Sequence, residues 1–336
     1  MLHRLRGLRP SIFLFGAFVA LPACGQIAYE ELPAEQVDAL CDYMVRCGFA
    51  TDEGLCAAAW GQFIRPDPNL DAAIEDGSVE YDAKAAEQCL EDAREAACGG
   101  IFFEDAPSGA CEKVFVGTIA NGDACWIDEQ CVSQTCQVAD CAMACCQGVC
   151  VAPPPDAAIG GDCSVQDCVS GAYCEYNFDD GSYTCQAQKG AGVECFGDYE
   201  CSGSLGCFDG SCQVAPAEGA PCLGGRCGGA LGCDITSNTC QKLRGEGQSC
   251  EPAASLCAFG LACSTASMKC EAPSGVGSAC SFDSGCSDAW CDYDFDTGAG
   301  TCQPRLANGA ACEFDDSCQS LYCAEGLCGP EAVCVQ

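Results

Sequence analysis

Residues 192–213, GVECFGDYECSGSLGCFDGSCQ, decide how the whole chain is read. A glycine stands three residues before the first of four cysteines, Cys195, Cys201, Cys207 and Cys212, and Asp209-Gly210 lies between the last two. An Asp-Gly pair between closely spaced residues marks a hairpin tip. The unit recurs along the chain, opening at Gly122, Gly160, Gly192, Gly219, Gly247, Gly277 and Gly309. A glycine kept in every unit points to a backbone requirement, a positive φ or a tight turn between modules.

Six modules share the four-cysteine plan. Besides the one quoted, they hold Cys163, Cys168, Cys174 and Cys185; Cys222, Cys227, Cys233 and Cys240; Cys250, Cys257, Cys263 and Cys270; Cys280, Cys286, Cys291 and Cys302; and Cys312, Cys318, Cys323 and Cys328. In chain order, 10, 4, 6, 6, 10 and 4 residues separate the third and fourth cysteines. Every gap is even. Two cysteines facing each other across a hairpin that lengthens one pair at a time give that parity. Modules of roughly 30 residues cannot bury enough apolar surface to fold alone, and two disulfides each supply the deficit. The fold class expected is small and disulfide-rich: an N-terminal disulfide-linked α-helical domain, then an elongated array of seven short β-hairpin cysteine modules, each touching mainly its neighbours. Four cysteines allow three pairings, so the connectivity stays open.

The chain of 336 residues holds 39 cysteines, about 12%, a level at which a disulfide scaffold is the default reading. Cytosolic reductants would keep such thiols reduced, so an oxidising compartment is implied. Structural zinc is the competing use, but its paired C-x2-C knuckles are absent from the sequence.

The first module, residues 121–150, differs from the rest. It carries Cys125, Cys131, Cys136, Cys141, Cys145, Cys146 and Cys150, and Cys334 near the end of the sequence is the other odd cysteine. These two surpluses pair over long range, or the last modules share bonds; parity does not decide. CWIDEQCVSQTC and CAMACCQGVC resemble the Dickkopf N-terminal cysteine-rich domain, with its C-x-x-D-x-x-C opening and later double Cys. CSFDSGC and CEFDDSC repeat the opening, and the resemblance runs over residues 122–334. It implies a cysteine-rich fold and, by way of the secreted family members that bind cell-surface receptors, a binding role. Pro153-Pro154-Pro155 stiffen a linker over residues 151–159, and six four-cysteine modules fill residues 160–336.

Residues 35–120 have a different composition, with only Cys41, Cys47, Cys56, Cys89, Cys98 and Cys111. Apolar residues recur at helical spacing in residues 35–46 and 83–97, and a shorter helix is expected over 53–63. Asp82 is the expected N-cap of the second, with Gly99-Gly100 as its stop, and Pro66 and Pro68 are read as breakers. Cys41 and Cys47 are too far apart within one helix to bond, and Cys89 and Cys98 lie on opposite helix faces. The bonds must therefore tie helix to helix or helix to loop.

At the N-terminus, Arg4, Arg6 and Arg9 precede SIFLFGAFVAL at residues 11–21. That apolar run is too short to span a bilayer and fits a secretory signal. It ends Leu21-Pro22-Ala23-Cys24, which resembles the bacterial lipobox. The resemblance implies a lipoprotein signal peptide over residues 1–23, acylation of Cys24 and a tether over residues 24–34. Ordinary cleavage after Ala23 is the alternative, although Leu21 suits it poorly. Gly25 lacks the aspartate of inner-membrane retention, so the outer membrane or cell surface is the expected address. The layout as a whole also resembles a family of bacterial cysteine-rich surface lipoproteins.

Net charge is −35, and residues 1–23 hold three arginines and no acid, so cleavage makes the chain more acidic. Such a field repels nucleic acid and anionic headgroups and favours cations, basic partners and solubility. The one histidine is His3. A mature chain without histidine cannot build Ser-His-Asp, Cys-His or H-E-x-x-H chemistry. No cofactor is expected, no carboxylate pair stands out for glycoside hydrolysis, and the chain is read as non-enzymatic. Asp292, Asp294 and Asp296 in DYDFDTG suggest a calcium loop, but Thr297 and Gln303 replace the required Gly and Glu. Alternation of polar and aromatic residues fits hairpin faces better. Asp128, Asp283 and Asp315, three residues after a first cysteine, are read as turn residues bonding backbone. Trp126, Tyr173, Tyr199, Trp290, Tyr293 and Tyr322 either pack on their local disulfides or form a contact surface for a protein or glycan ligand. The expected role is a lipid-anchored binding or adhesion protein. A passive, protective envelope component is the alternative.

Overall fold

The structure, a computed structural model, describes residues 26–61, 64, 67–98, 109–139, 145–178, 180–251, 256–264, 267–280, 286–287, 289–294, 299–329 and 333–334. Among these, no helix is long and apolar enough to cross a membrane.

The helical region contains α1 (Leu32–Arg46), α2 (Glu53–Trp60), α3 (Pro68–Asp76) and α4 (Ala83–Glu95). Val37, Leu40, Cys41 and Met44 of α1 fall on one helical face and are buried with Tyr43, Ala50 and Cys56. Leu32 and Ala39 pack with Ala86, Cys89 and Leu90 of α4. Asp82 caps α4 as its spacing predicts: the amides of Lys84 and Ala85 donate to its Oδ1 at 2.9 and 3.0 Å. Pro68 corrects an expectation. It opens α3 rather than breaking the chain, with Asp67 accepting from the amides of Asn69 and Leu70. Proline is well placed there because the first helical turn has no use for its missing N–H. A pairing with no sequence forewarning joins β1 (Val79–Tyr81) to β2 (Phe115–Gly117), with Val79 opposite Gly117. Disulfides run Cys41–Cys56, joining α1 to α2, Cys89–Cys111, joining α4 to a later segment, and Cys47–Cys98, joining the segments that follow α1 and α4.

Each four-cysteine module is a short antiparallel hairpin clamped at its base. Cys174 faces Cys185, Cys207 faces Cys212, and Cys233 faces Cys240. The same holds for Cys263 and Cys270, Cys291 and Cys302, and Cys323 and Cys328. The loops enclosed by the last pairs are themselves even, two residues between Phe208 and Ser211 and four between Asp234 and Thr239, and each further pair adds two, which is the origin of the even gaps. The facing cysteines are not bonded to each other. In every module the first bonds the third and the second bonds the fourth, as in Cys195–Cys207 and Cys201–Cys212. The first module keeps the bond from first to third, Cys125–Cys136, and bonds its second cysteine to its last, Cys131–Cys150.

The seven recurring glycines all have positive φ, from +74° at Gly247 to +98° at Gly122. That conformation lets each glycine amide donate to the carbonyl of its own module's last cysteine, as Gly192 does to Cys212 at 2.8 Å and Gly309 to Cys328 at 2.6 Å. The last cysteine's amide returns a bond one residue past the glycine, as Cys212 does to Val193. The glycine thus folds the incoming chain onto the hairpin as a third, backbone-bonded edge.

Modules join mainly to their neighbours. In every module but the fourth, a residue three before the glycine forms a parallel bridge to the second cysteine, as in Lys189 with Cys201 and Leu306 with Cys318. Other contacts reach farther. Phe259 of the fifth module stacks on Trp60, with ring centroids 5.2 Å apart, and its amide donates to the Phe49 carbonyl at 2.7 Å. Gly260 allows this approach, since a Cβ there would lie 2.9 Å from the Leu55 carbonyl oxygen. Cys145 of the first module bonds Cys334 across 189 residues, and the Cys334 amide donates to Asn69 Oδ1 at 2.6 Å. Eighteen disulfides join described residues, and Cys146 is disulfide-bonded too. Cross-links at this density place the folded chain in an oxidising, extracytoplasmic compartment.

Candidate functional site

The segment between the first and second cysteines carries the chemistry that differs from module to module. Among the described residues it contains one turn of 3-10 helix in three modules: Asp128–Gln130, Asp198–Glu200 and Asp315–Ser317. The aspartate opening each turn accepts the amide hydrogen of the third cysteine: Asp128 from Cys136 at 2.6 Å, Asp198 from Cys207 at 2.7 Å and Asp315 from Cys323 at 2.6 Å. Asp128 and Asp315 are the turn residues expected from spacing; Asp283 lies outside the described residues.

The residue closing each turn, immediately before the second cysteine, is buried although polar. Gln130, Glu200 and Ser317 are 3%, 3% and 2% exposed, and they are three of the four buried polar residues described. Each holds the loop in front of it. The amides of Trp126 and Ile127 donate to Gln130 Oε1 at 2.7 and 3.4 Å. The amides of Phe196 and Gly197 donate to Glu200 Oε1 at 2.8 and 3.0 Å. Ser317 Oγ donates to the Phe314 carbonyl at 2.7 Å. Burying a polar group is costly unless it is bonded, so these residues act as satisfied pins.

The pinned loops hold apolar side chains out in water. Phe196 is 90% exposed, Tyr199 63% and Phe314 59%. Tyr199 is held edge-on against the buried Tyr173, with centroids 5.9 Å apart. Its ring occupies the space that a Cβ on Gly197 would need. Lys189 completes the arrangement. Its ammonium bonds Glu200 Oε2 and lies 5.5 Å from the Tyr173 ring centroid. Burial by itself would push the Glu200 carboxyl up. The Lys189 ammonium and the two amide donors outweigh that and hold it below the ordinary value of 4.5. Arg226 likewise holds Asp198 low through a 2.6 Å ion pair.

A depressed folded value means that Glu200 stabilises the loop fully above about pH 4.5 and loses that contribution as pH falls through the depressed value. Glu200→Gln removes the charge at all pH values. We expect the Phe196 and Gly197 amides to exchange at least about tenfold faster in that variant at neutral pH, since bonds to a charged acceptor are the stronger kind. Wild-type protein should approach the variant only in acid. Equal exchange rates at pH 7 would show that Glu200 pins nothing.

The structure divides the aromatic residues singled out by sequence. Tyr173 is buried, Trp126, Trp290, Tyr293 and Tyr322 are part-buried, and Tyr199 is exposed. The most open rings, Phe178 and Phe196 at 90%, were not among them. No single residue type marks the pins, because glutamine, glutamate and serine stand at equivalent positions. Their constant place before the second cysteine is the signal that identifies them.

Sulfur atoms cluster within each module. Those of Cys195, Cys201 and Cys212 lie within 4.8 Å of one another. They belong to two adjacent disulfides, and a sulfur in such a bond is not the thiolate a metal requires. Asp292 stands opposite Thr301 in the strand Ala289–Asp294, and Asp294 pairs with Ala299 in the same ladder. Asp296, the third residue of the calcium suggestion, lies outside the described residues, as do Cys24 and Cys141. No family model, curated protein or solved structure matches the chain.

Proposed function

We propose that this is a non-enzymatic, lipid-anchored binding or adhesion protein at the outer membrane or surface of a bacterial cell. The observation that carries the reading is the pairing of exposed rings with buried polar pins. Rigid aromatic side chains give large contact area at low entropic cost, and they dominate binding energies where they occur. A spacer has no need to fix Phe196, Tyr199 and Phe314 in water by burying Glu200 and Ser317 beneath their loops. The resemblance to Dickkopf cysteine-rich modules supports a binding role, and the lipobox ending at Cys24 supports the anchor. The absence of histidine after His3 supports the non-enzymatic reading.

The acidic surface and dense cross-links favour a second reading, a protective envelope layer without a specific ligand. Phe196→Ala, Tyr199→Ala and Phe314→Ala combined leave charge and disulfides unchanged and separate the two. We expect the exported chain to bind intact cells or a panel of matrix proteins and glycans saturably, and the triple variant to lose at least about tenfold in affinity. Saturable binding to none of them, or binding indifferent to the rings, would leave the protective reading standing. Labelling with an alkyne fatty acid tests the anchor: label should appear on the wild type and vanish in Cys24→Ala.

A further inference from the structure

The second module ends in a feature that the pinned loops do not explain. Its strands, Ala172–Tyr176 and Tyr183–Ala187, place Tyr176 opposite Tyr183 at the far end of the hairpin. Phe178 follows in the turn. The Tyr176 and Phe178 centroids are 4.8 Å apart at 83°, and those of Tyr176 and Tyr183 are 4.8 Å apart at 47°. The three rings are 41%, 90% and 43% exposed. They form a corner of ring faces and edges open to water. Apolar patches left exposed in this way mark interaction sites.

The corner is held in shape before any partner arrives. Cys163–Cys174 and Cys168–Cys185 clamp the hairpin two residues from Tyr176 and Tyr183. In the turn, the Ser182 amide and hydroxyl donate to Asp180 Oδ1 at 3.0 and 2.6 Å. Gly181, with φ +72°, donates its amide to the Asn177 carbonyl at 2.9 Å.

Charge selects the occupant. Between Lys113 and Lys189 the sequence has ten acidic residues and no basic one. Glu175 and Asp180, both exposed, are close to the rings in sequence, and Asp179 stands between Phe178 and Asp180. Elsewhere in this protein, cations sit over aromatic rings: Lys189 over Tyr173, Arg226 over Phe208 at 5.1 Å and Arg46 over Tyr43 at 5.4 Å. Among the described residues, none covers Tyr176, Phe178 or Tyr183. A negative ring face beside carboxylates attracts a guanidinium or ammonium group. An anionic polymer meets repulsion there.

We infer that the Tyr176–Phe178–Tyr183 corner docks an arginine- or lysine-bearing segment of a basic partner protein. This rests on the reading that the protein binds a partner at all, and it names that partner's charge and the place where it lands. The string Tyr-x-Phe-Asp-x-Gly recurs at residues 293–298, so the sequence carries a second copy of the motif.

The test titrates the full exported chain with an arginine nonapeptide, a glutamate nonapeptide and a neutral oligosaccharide. Proteins are wild type, Phe178→Ala, Tyr176→Ala/Phe178→Ala, Phe178→Trp and Val214→Ala, each checked for intact disulfides by mass. None of these changes alters net charge. The arginine peptide should bind, and Phe178→Ala should weaken it about threefold and the double variant about tenfold or more. Phe178→Trp and Val214→Ala, the latter at an exposed position away from both sets of rings, should bind it as wild type does, and the other two probes should not bind at the corner. An arginine-peptide affinity that falls with salt but is equal in wild type and the double variant would overturn the inference, because charge alone would then account for it. Failure of the arginine peptide to bind, with ring-dependent cell binding still lost in the Phe196/Tyr199/Phe314 variant, would overturn this inference and leave the proposed function intact. Loss of both would overturn both.

Discussion

Cys201→Ser/Cys212→Ser should unfold the third module and leave the helical region folded. The module's buried cluster is Cys195, Cys201, Cys207 and Cys212, with Leu205 partly buried against it. The sulfurs are its core. By the chain-entropy account, closing the loop from Cys201 to Cys212 is worth about 3 kcal/mol. Two serine hydroxyls then stand where buried sulfur stood, at a further cost. Apart from the buried Phe208 ring, little apolar area remains to offset the loss in a unit this small. Amides of residues 193–213 should lose most of their exchange protection. Those of α1 and α4 should keep theirs, since Leu40, Met44 and Leu90 pack in clusters of their own. Replacing both cysteines avoids a lone thiol that would reshuffle. Retained protection in the third module would mean that backbone bonds such as Gly192 to Cys212 suffice without the cross-link.

Cys145→Ser/Cys334→Ser should have the opposite character, with every module folded and the tail released. The bond closes the longest loop described, 189 residues. An open loop of that length corresponds to about 5 kcal/mol. The other disulfides already shorten the path, so this is an upper bound, and the correlation of stability with loop length is loose. The released tail should lose the bond from the Cys334 amide to Asn69, become open to carboxypeptidase, and lower the temperature at which the helical region unfolds by several degrees. Hairpin amides around Cys207 and Cys212 should not change. If the tail stays protected without the bond, noncovalent contacts such as that with Asn69 hold it.

The hairpin register was legible because cysteines cannot be shifted by one position without changing faces, so even gaps report pairing directly. The positive φ of the seven glycines was legible for a similar reason: one residue type tolerates it and that type recurs. The pairing of first with third and second with fourth cysteine was not legible, because spacing restrains each of the three possible pairings equally. The Cys145–Cys334 bond depends on where the array returns, which no local pattern records. The three-residue strands β1 and β2 are too short to show a period. Pro68 was misread because a proline marks both the end of one helix and the start of another, and Asp67 before it was the deciding neighbour. For the candidate site, the rings were visible as residue types but not as exposures. Tyr173 and Tyr199 look alike in sequence, yet one is buried beneath Lys189 and the other lies across Gly197.

Alkylation of the unreduced, denatured protein followed by intact mass measurement tests the central claim most directly, that sulfur–sulfur bonds replace an apolar interior. The account predicts that none of the 38 cysteines after Cys24 takes up the reagent before reduction, and that all 38 do so after it, the lipid-bearing Cys24 reacting in neither state. Several free thiols in the native, exported molecule would contradict it.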